Sequence, residues 1–265
     1  MNRIFIKEDI IDFTDLDGKI KINSKTKNEF FDVNSITIDV LEDTNLKIAY
    51  SSINPSKLDI IINVLPDVEL KLDELRKGDN YKIRYRYNIF EQATLNLNKF
   101  YDLKSIKEYV IINLNGENAK IDYNFKTISK NYEKYDITVY HNSKNSISNI
   151  KNNGVNIKSG NLIFNVSSFV YSGFTNCTAN QFGRIINLVN EKCQINPNLF
   201  IDEFDVSANH SAHIGGFEKE EIFYLNSRGI NNEDANKLLI TGFLMNETDK
   251  YLQEKIDNSI NRYWR

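Results

Sequence analysis

The sequence predicts a mainly β protein that ends in a small α-helical region. Three observations lead to this prediction. The dominant hydrophobic period is two from about residue 35 to residue 206, and short connections rich in Asn, Asp, Ser and Lys separate the alternating runs. The pattern becomes helical after Gly215-Gly216. We therefore divide the chain into an N-terminal segment (1–34), a β body (35–216) and a C-terminal helical region (217–265).

The clearest strand pattern is "NYKIRYRYNIF", residues 80 to 90. Tyrosine and isoleucine occupy the odd positions from 81 to 89, so they fall on one face of a strand and the polar residues fall on the other. Similar alternation occurs in "SITIDV", "NLKIAY", "VELKLDEL", "ATLNLN", "AKIDYNF" and "DITVY". Many short strands without intervening helices indicate a sandwich, a barrel or a β-solenoid. Periodicity does not choose among these, because no strict residue repeat identifies a solenoid.

Three helices are predicted after residue 216. Acidic residues crowd the start of "FEKEEIFYLNSRGI", where the helix dipole favours them, and Gly229 provides a C-terminal stop. Asn231 or Asn232 can cap a second helix through "EDANKLLITGFL". The third segment, "DKYLQEKIDNSINRYW", places four residues at helical spacing: Leu252, Ile256, Ile260 and Tyr263.

Composition and charge restrict the function classes. The chain has 265 residues, a formal net charge of −3 and a pI of about 5.8, which gives no indication of nucleic-acid binding. No run of about 18 apolar residues is present, and "MNRIFIKEDIIDF" lacks the apolar core of a secretory signal. Cys177 and Cys193 fit no metal or redox spacing and suggest a reducing compartment. We expect a cytoplasmic protein that binds neither nucleic acid nor a membrane.

Motifs of common enzymes are missing from the sequence. It contains no G-x-S-x-G, no phosphate-loop lysine pattern and no His-Glu-x-x-His. Asp202, Glu203 and Asp205 lie close together, and acidic residues on a β-solenoid would fit an alternative from a different class, a carbohydrate-acting or carbohydrate-binding protein. Asparagine and isoleucine are abundant, which we interpret as compositional bias, so isolated asparagine motifs carry no weight.

Several segments resemble the SufB/SufD family of iron–sulfur cluster assembly proteins. "EIFYLNSRGI" followed by "NNEDANKLLITGFL" is similar to that family's FYL-x-SRG-I element, its acidic helix start, its LL pair and its GF-L ending. "PNLFIDEFDVSANHSAHIGG" resembles the P-x-L-x-I…DDV-x-C-SHGATIG segment, and "QFGRIINL" resembles Q-x-NR-x-LLL, with Arg184 at the arginine. "YHNSKNSISNIKNNGVNIKSGNLIFNV" is similar to a stretch with His, a Ser-Asn pair and Gly-Val. The resemblance covers residues 140 to 245, and the region before it is merely compatible.

The resemblance implies a right-handed parallel β-helix with a C-terminal α-helical appendage. It also implies pairing of β-helices, with a second copy of this chain or with a SufB-like subunit, and docking of a SufC-type ABC ATPase on the helical end. The docking candidates are Phe223, Tyr224, Arg228 and Gly229. The chain is then a non-enzymatic scaffold, and ATPase activity is expected only in the partner because this sequence lacks a phosphate loop.

Three departures from the family pattern matter. The usual members have a helical N-terminal region for which this chain is too short. The position of the scaffold cysteine of SufB is filled by Arg184, which makes the chain SufD-like. The family cysteine two residues before His210 is Ala208 here.

The resemblance and the residue chemistry together give four cluster or interface candidates. His210 matches the family histidine, and a neutral imidazole could ligate iron or shuttle a proton. His213 falls on the opposite face of an extended strand, so the two histidines cannot share a metal within one straight strand. His141 matches another family histidine at what is predicted to be a surface strand end. Of the two cysteines, Cys177 is the more plausible thiolate. Arg184 is the fourth cluster or interface candidate.

We expect at most a transient iron–sulfur cluster and no tightly bound cofactor. Such clusters need about four thiolate or imidazole ligands, which two separated cysteines of one chain cannot supply, although a dimer could. The alternative within the family is a stand-alone homodimeric scaffold that binds a cluster through Cys177 and His210.

Overall fold

The computed structural model describes residues 2–7, 10–14, 17–25, 33–52, 57–78, 81–158, 160–189 and 191–264. Within these residues the strands are β1 (Asn2–Lys7), β2 (Ile10–Thr14), β3 (Ile20–Lys25), β4 (Val33–Val40), β5 (Thr44–Ser52), β6 (Lys57–Val64), β7 (Glu69–Gly78), β8 (Tyr81–Ile89), β9 (Thr94–Leu103), β10 (Ile106–Leu114), β11 (Lys120–Ser129), β12 (Tyr132–His141), β13 (Ile147–Asn156), β14 (Asn161–Val170), β15 (Cys177–Asn187), β16 (Gln194–Ile201) and β17 (Val206–Gly215). The helices are α1 (Lys219–Ser227), α2 (Asn232–Met245) and α3 (Lys250–Tyr263).

The strands coil into a parallel β-solenoid with two sheets. The nine-stranded sheet has the order β17-β15-β13-β11-β9-β7-β5-β1-β2, and the eight-stranded sheet has the order β16-β14-β12-β10-β8-β6-β4-β3. From β4 to β17 successive strands alternate between the sheets, and each pairs in parallel with the strand two places away. The predicted parallel β-helix with C-terminal helices is confirmed.

The length of a coil changes along the solenoid. The coil takes 25 residues between Asn63 and Asn88, whose side chains are hydrogen-bonded, and 31 residues between Asn165 and Asn196. This drift explains why no strict repeat is visible in the sequence, although every coil has the same architecture.

The segment 1–34, which the sequence analysis separates from the β body, contributes β1 to β3 to the sheets. β1 pairs with β5 in parallel, and β3 pairs with β4 antiparallel. Ile4, Ile6 and Ile20 lie in the same hydrophobic core as the later strands, because their alternating pattern buries one face. Residues 26–32 of this segment, like Asn80 in the strand pattern quoted above, lie outside the described residues.

The core between the sheets contains a buried cluster of four charged side chains. The Nε atom of Arg76 lies 2.6 Å from Glu74, and the ammonium of Lys99 lies 2.7 Å from Glu108 and 3.7 Å from Glu74. The hydroxyl of Tyr101 lies 2.5 Å from a carboxylate oxygen of Glu74 and 2.6 Å from one of Glu108. Burial by itself would raise the pKa of Glu74, but the charges of Lys99 and Arg76 hold that pKa below its usual value. The cluster is therefore neutralised within the chain.

Asparagine side chains form hydrogen-bonded columns on the outer faces of both sheets. On the nine-stranded sheet, the amide of Asn209 donates to Asn180 at 3.1 Å and that of Asn180 donates to Asn149 at 2.9 Å. Two columns run along the eight-stranded sheet, Asn113–Asn88–Asn63–Asp39 and Asn196–Asn165–Asp136. Asparagine therefore has a structural role beyond compositional bias, since stacked amides satisfy one another from coil to coil.

The helices cover part of the outer face of the nine-stranded sheet. Along β9, β11 and β13 the burial changes from alternating to continuous, because both faces of the second half of each strand are covered. Asp102 on β9 fixes α3 by accepting a hydrogen bond from the Tyr263 hydroxyl at 2.7 Å. The apolar contacts come from Leu75, Phe100, Ile128, Val155 and Ile186 on the strands and from Ile240, Leu244, Leu252, Ile256 and Ile260 on α2 and α3.

The helix ends follow the predicted signals. Gly229 follows the C-cap of α1 at a φ of 85°, and the N–H of Ile230 donates to the carbonyl of Leu225 at 3.2 Å, as in a Schellman motif. Asn231 caps α2, where its side chain accepts from the N–H of Asp234 at 2.9 Å. None of the described helices is long and apolar enough to cross a membrane.

Candidate functional site

The two sheets end side by side in β16 and β17, and no other strand of the described residues pairs with their outer edges. The inward positions of β17 follow from its register with β15, in which Val206 pairs with Cys177 and Ile214 pairs with Ile185. Cys177 and Ile185 are buried, whereas Ile214 is 41% exposed. This end face of the solenoid therefore presents two free strand edges and an apolar surface that a further coil would bury.

His210 lies at the middle of the end face. It pairs with Gln181, which is buried one strand below and donates to the Ser168 hydroxyl at 2.8 Å and to the carbonyl of Asn198 at 3.0 Å. The Oε1 atom of Gln181 is buried without a hydrogen-bond partner among the described residues. His210 itself is exposed, so its ring nitrogens can reach a metal or exchange a proton.

An aromatic stack on the outer face of the eight-stranded sheet reaches the same end. The rings of Tyr140 and Phe169 lie 5.2 Å apart, and those of Phe169 and Phe200 lie 4.6 Å apart at an interplanar angle of 8°. Phe200 is on the last strand of its sheet and is 52% exposed. One ring face of Phe200 is thus open to a further aromatic group. The sequence signal for this stack is an aromatic residue at an outward position in three successive coils.

Cys177 and His141 lie inside the solenoid and not on its surface. The thiol of Cys177, 1% exposed, lies 3.3 Å from the Ser146 hydroxyl and 3.2 Å from the carbonyl oxygen of Phe174. The ring nitrogens of His141 lie 2.8 Å from the Ser146 hydroxyl and 2.9 Å from that of Ser148. Burial lowers the pKa of His141 to about 4, although a backbone hydrogen bond of Ser146 opposes this shift. The predicted surface position of His141 is wrong, because later coils cover its strand end.

Cys177 and His210 do not meet within one chain. Cys177 pairs with Val206, which precedes His210 by four residues on β17. At about 3.3 Å per strand residue, the two positions are roughly 13 Å apart. They cannot share a single metal ion inside one subunit. Among the described residues, no group of three or more His, Cys, Asp or Glu side chains could hold a metal ion.

Arg184 and His213 lie on the outer face of the nine-stranded sheet. They are neighbours in the register of β15 and β17, and both line a groove beneath α2. His213 and His210 therefore occupy opposite faces of β17, as the strand geometry predicts. Arg184 likewise points away from the interior of the solenoid, whereas His210 lies at an inward position.

The four docking candidates form an exposed patch at α1. Phe223 is 74% exposed and Tyr224 is 57% exposed. The guanidinium of Arg228 lies 5.3 Å from the centroid of the Tyr224 ring, and Gly229 ends the helix next to this pair. No residue of α1 is buried, although all nine of its residues are described, so its apolar side chains are accessible to another protein.

Comparison with known proteins assigns the family. The protein-family model "SUF system FeS cluster assembly, SufBD core domain" matches residues 76–243 of this chain. The chain is 37% identical over 114 residues to the iron–sulfur cluster assembly protein SufD of Bacillus subtilis (strain 168), which covers 42% of this chain and 26% of that protein. It is 38% identical over 64 residues to SufD of Escherichia coli (strain K12), which covers 24% and 15%. It is 26% identical over 163 residues to the SufBD family protein ycf24 of Galdieria sulphuraria, which covers 56% and 73%.

The matches to the two SufD proteins span about a quarter or less of their length. The family model covers more than half of this chain and extends from β7 to α2, so it includes the end face, α1 and most of α2 but not α3. The family match gives no support to the alternative of a carbohydrate-acting or carbohydrate-binding protein. The chain belongs to the SufBD family of SUF-system iron–sulfur cluster assembly proteins.

Proposed function

We propose that this chain is a SufD-like, non-enzymatic scaffold subunit of a SUF-type assembly complex. It pairs through the end face of its solenoid and docks a SufC-type ABC ATPase through its helical region. The observation that supports this most is the end face itself, where two free strand edges surround exposed inward residues of β17.

Pairing satisfies three features of the end face at once. A second solenoid would supply backbone groups to the free edges, cover inward side chains such as Ile214, and stack on the open ring face of Phe200. A second copy related by a two-fold axis and a SufB-like subunit both meet these requirements. Subunit pairing also carries His210 into the interface.

The iron–sulfur cluster is the cargo of this complex. His210 supplies one imidazole at the interface, and the paired subunit supplies other ligands, since a cluster needs about four. Gln181 orients the imidazole, because its unpartnered Oε1 can accept a hydrogen bond from a ring N–H one strand away. The buried Cys177 has no ligand role in this proposal.

The helical region supplies the ATPase contact. Phe223 and Tyr224 form an exposed aromatic pair, and Arg228 adds a cation beside it. Aromatic and arginine side chains dominate the binding energy of many protein interfaces. ATP hydrolysis takes place in the partner, and the resulting motion of the paired subunits exposes His210 to incoming iron or sulfur.

Co-expression with a SufC-type ATPase from the same genome, followed by light scattering, tests the assembly. We expect a stoichiometric complex of two copies of this chain and two ATPase subunits, or a mixed complex once a SufB-like subunit is added. The proposal is rejected if the well-folded chain associates with neither protein in any combination.

Matched variants separate the two surfaces. Ala212→Asp puts a charge on the exposed inward side of β17, and Ser207→Asp puts the same charge on the outward side of that strand. Only Ala212→Asp should abolish pairing. Tyr224→Ser should weaken the ATPase complex without affecting pairing, and Tyr109→Ser, on the outer face of β10, should affect neither.

A further inference from the structure

A groove of about 730 Å³ separates the outer face of β13, β15 and β17 from α1 and α2. Its volume falls in the range of small-molecule sites. The groove is lined by outward residues of β17, whereas the end face exposes the inward residues of the same strand. Its apolar wall consists of Phe182, Phe217, Leu238, Leu239 and Phe243.

Arg184 is a cation without a counter-ion in this groove. Among the described residues it has no ion-pair partner, and its Nε atom is buried without a hydrogen-bond acceptor. The guanidinium lies 5.4 Å from the centroid of the Phe243 ring, so one side of its plane is covered by apolar surface. A buried donor without an acceptor is costly, and an acceptor that enters the groove would remove this cost.

The other charged side chains of the groove are already engaged. The ammonium of Lys151 lies 2.6 Å from the carboxylate of Glu247. The carboxylate of Glu221 accepts a hydrogen bond from the N–H of Glu218 at 3.0 Å in the capping box of α1. His213, next to Arg184 in the register, adds a second nitrogen-bearing side chain to the same wall.

We infer that the groove binds an amphiphilic oxyanion, that is, a carboxylate or phosphate carried on an alkyl or aryl group. The oxyanion accepts hydrogen bonds from Arg184, whose fork-shaped guanidinium matches carboxylate and phosphate geometry. His213 contacts the same group. The apolar part lies against Phe243 and Leu239, where its burial adds to the affinity.

The probe for this site is 8-anilinonaphthalene-1-sulfonate, an aryl oxyanion whose fluorescence rises in an apolar environment. The purified full chain should bind it saturably. Octanoate and octyl phosphate should displace it, and their relative potency tells which oxyanion is preferred. Inorganic phosphate and octanol should displace it at least tenfold less well, because inorganic phosphate has no apolar group and octanol has no negative charge. Equal displacement by octanol and octanoate would overturn the oxyanion assignment.

Two variants test whether the probe binds in the groove. Arg184→Gln should weaken probe and octanoate binding by about tenfold or more, because a charge-assisted pair is lost. Arg86→Gln is the matched control, since Arg86 is an exposed arginine on the outer face of β8. Probe affinity that is the same in Arg184→Gln and Arg86→Gln contradicts the proposal.

Gly242→Leu tests the site without removing a polar group. Gly242 lines the groove, and a Cβ atom there meets no other atom within 4 Å. Leucine also favours a helix interior over glycine, so the thermal stability should be kept or raised. The new side chain should fill the groove and reduce probe binding at least tenfold. Unchanged binding in this variant would place the probe elsewhere and overturn the assignment.

Discussion

The inner coils and the last coil of the solenoid have the same alternating pattern of residues, but they differ in how far their inward side chains are buried. In the inner coils, His141 faces inward, is fully buried and is held between two serine hydroxyls. In the last coil, His210 also faces inward but is exposed. The difference arises only from coverage along the solenoid axis, since later coils lie over His141 and none of the described strands lies over His210. An inward position is thus buried or accessible according to its place in the stack.

The buried charged cluster is a second example of how the inner coils differ from the last coil. Glu74 and Lys99 are buried and compensate each other inside one chain, together with Arg76 and Glu108. The charges of this cluster are therefore compensated within the chain. The inward groups of the last strand, by contrast, are exposed at the end face.

The largest effect is expected from breaking the charged cluster with Lys99→Met. This substitution leaves Glu74 and Glu108 buried with too little positive charge, so the free energy of unfolding should fall by about 3–5 kcal/mol. Urea denaturation measures this loss. The control is Lys82→Met on the exposed side of β8, which should change the free energy by no more than about 0.5 kcal/mol. A loss below about 1 kcal/mol for Lys99→Met would mean that the cluster is not held as the structure shows.

A pair of histidine variants tests the comparison directly. His141→Ala should lower the free energy of unfolding by about 2–4 kcal/mol, because it leaves a cavity and two buried hydroxyls with fewer partners. His210→Ala should change it by less than about 0.5 kcal/mol but should impair cluster assembly in the reconstituted complex. Equal destabilisation by both variants would show that the end face of the isolated chain is covered.

The most gradual expected effect is a pH dependence due to Glu133, because it is spread over the range between two pKa values. This buried carboxyl accepts hydrogen bonds from Thr127 and Tyr135 at 2.8 Å, and the charge of Lys130 compensates its burial only in part. Burial raises its pKa from 4.5 to about 7, although the two hydroxyl donors oppose the shift. Between these values the folded state keeps a proton that the unfolded state has lost. Stability should therefore fall as pH rises, by at most about 1.4 kcal/mol per pH unit.

Denaturation of the wild type and of Glu133→Gln from about pH 5 to about pH 8 measures this contribution. The variant should lose the decline and become relatively more stable at the alkaline end. Parallel curves for the two proteins would exclude Glu133 as the titrating group.

Local signals were sufficient for much of the fold and for part of the site. Alternation identifies the strands and which side chains share a face, because successive residues of a strand point to opposite sides. Gly229 and Asn231 mark helix ends because their chemistry acts within one turn. Strand geometry likewise separates His210 from His213. The motif around "FYLNSRGI" identifies the family, and the family model confirms it.

Only the tertiary structure decides which residues of different coils meet. Partners in neighbouring coils lie 25 residues apart at one place and 31 at another, so their pairing cannot be counted from the sequence. For this reason the asparagine columns, the neutralisation of Lys99 by two glutamates and the burial of His141 were not foreseen. The accessibility of His210 is also set by what lies above it in the stack. The sequence by itself determined the strands, the helices and the family, because these depend on local chemistry. The stacking of the coils determined which inward groups are buried and which stay exposed, because burial depends on neighbours distant in the chain.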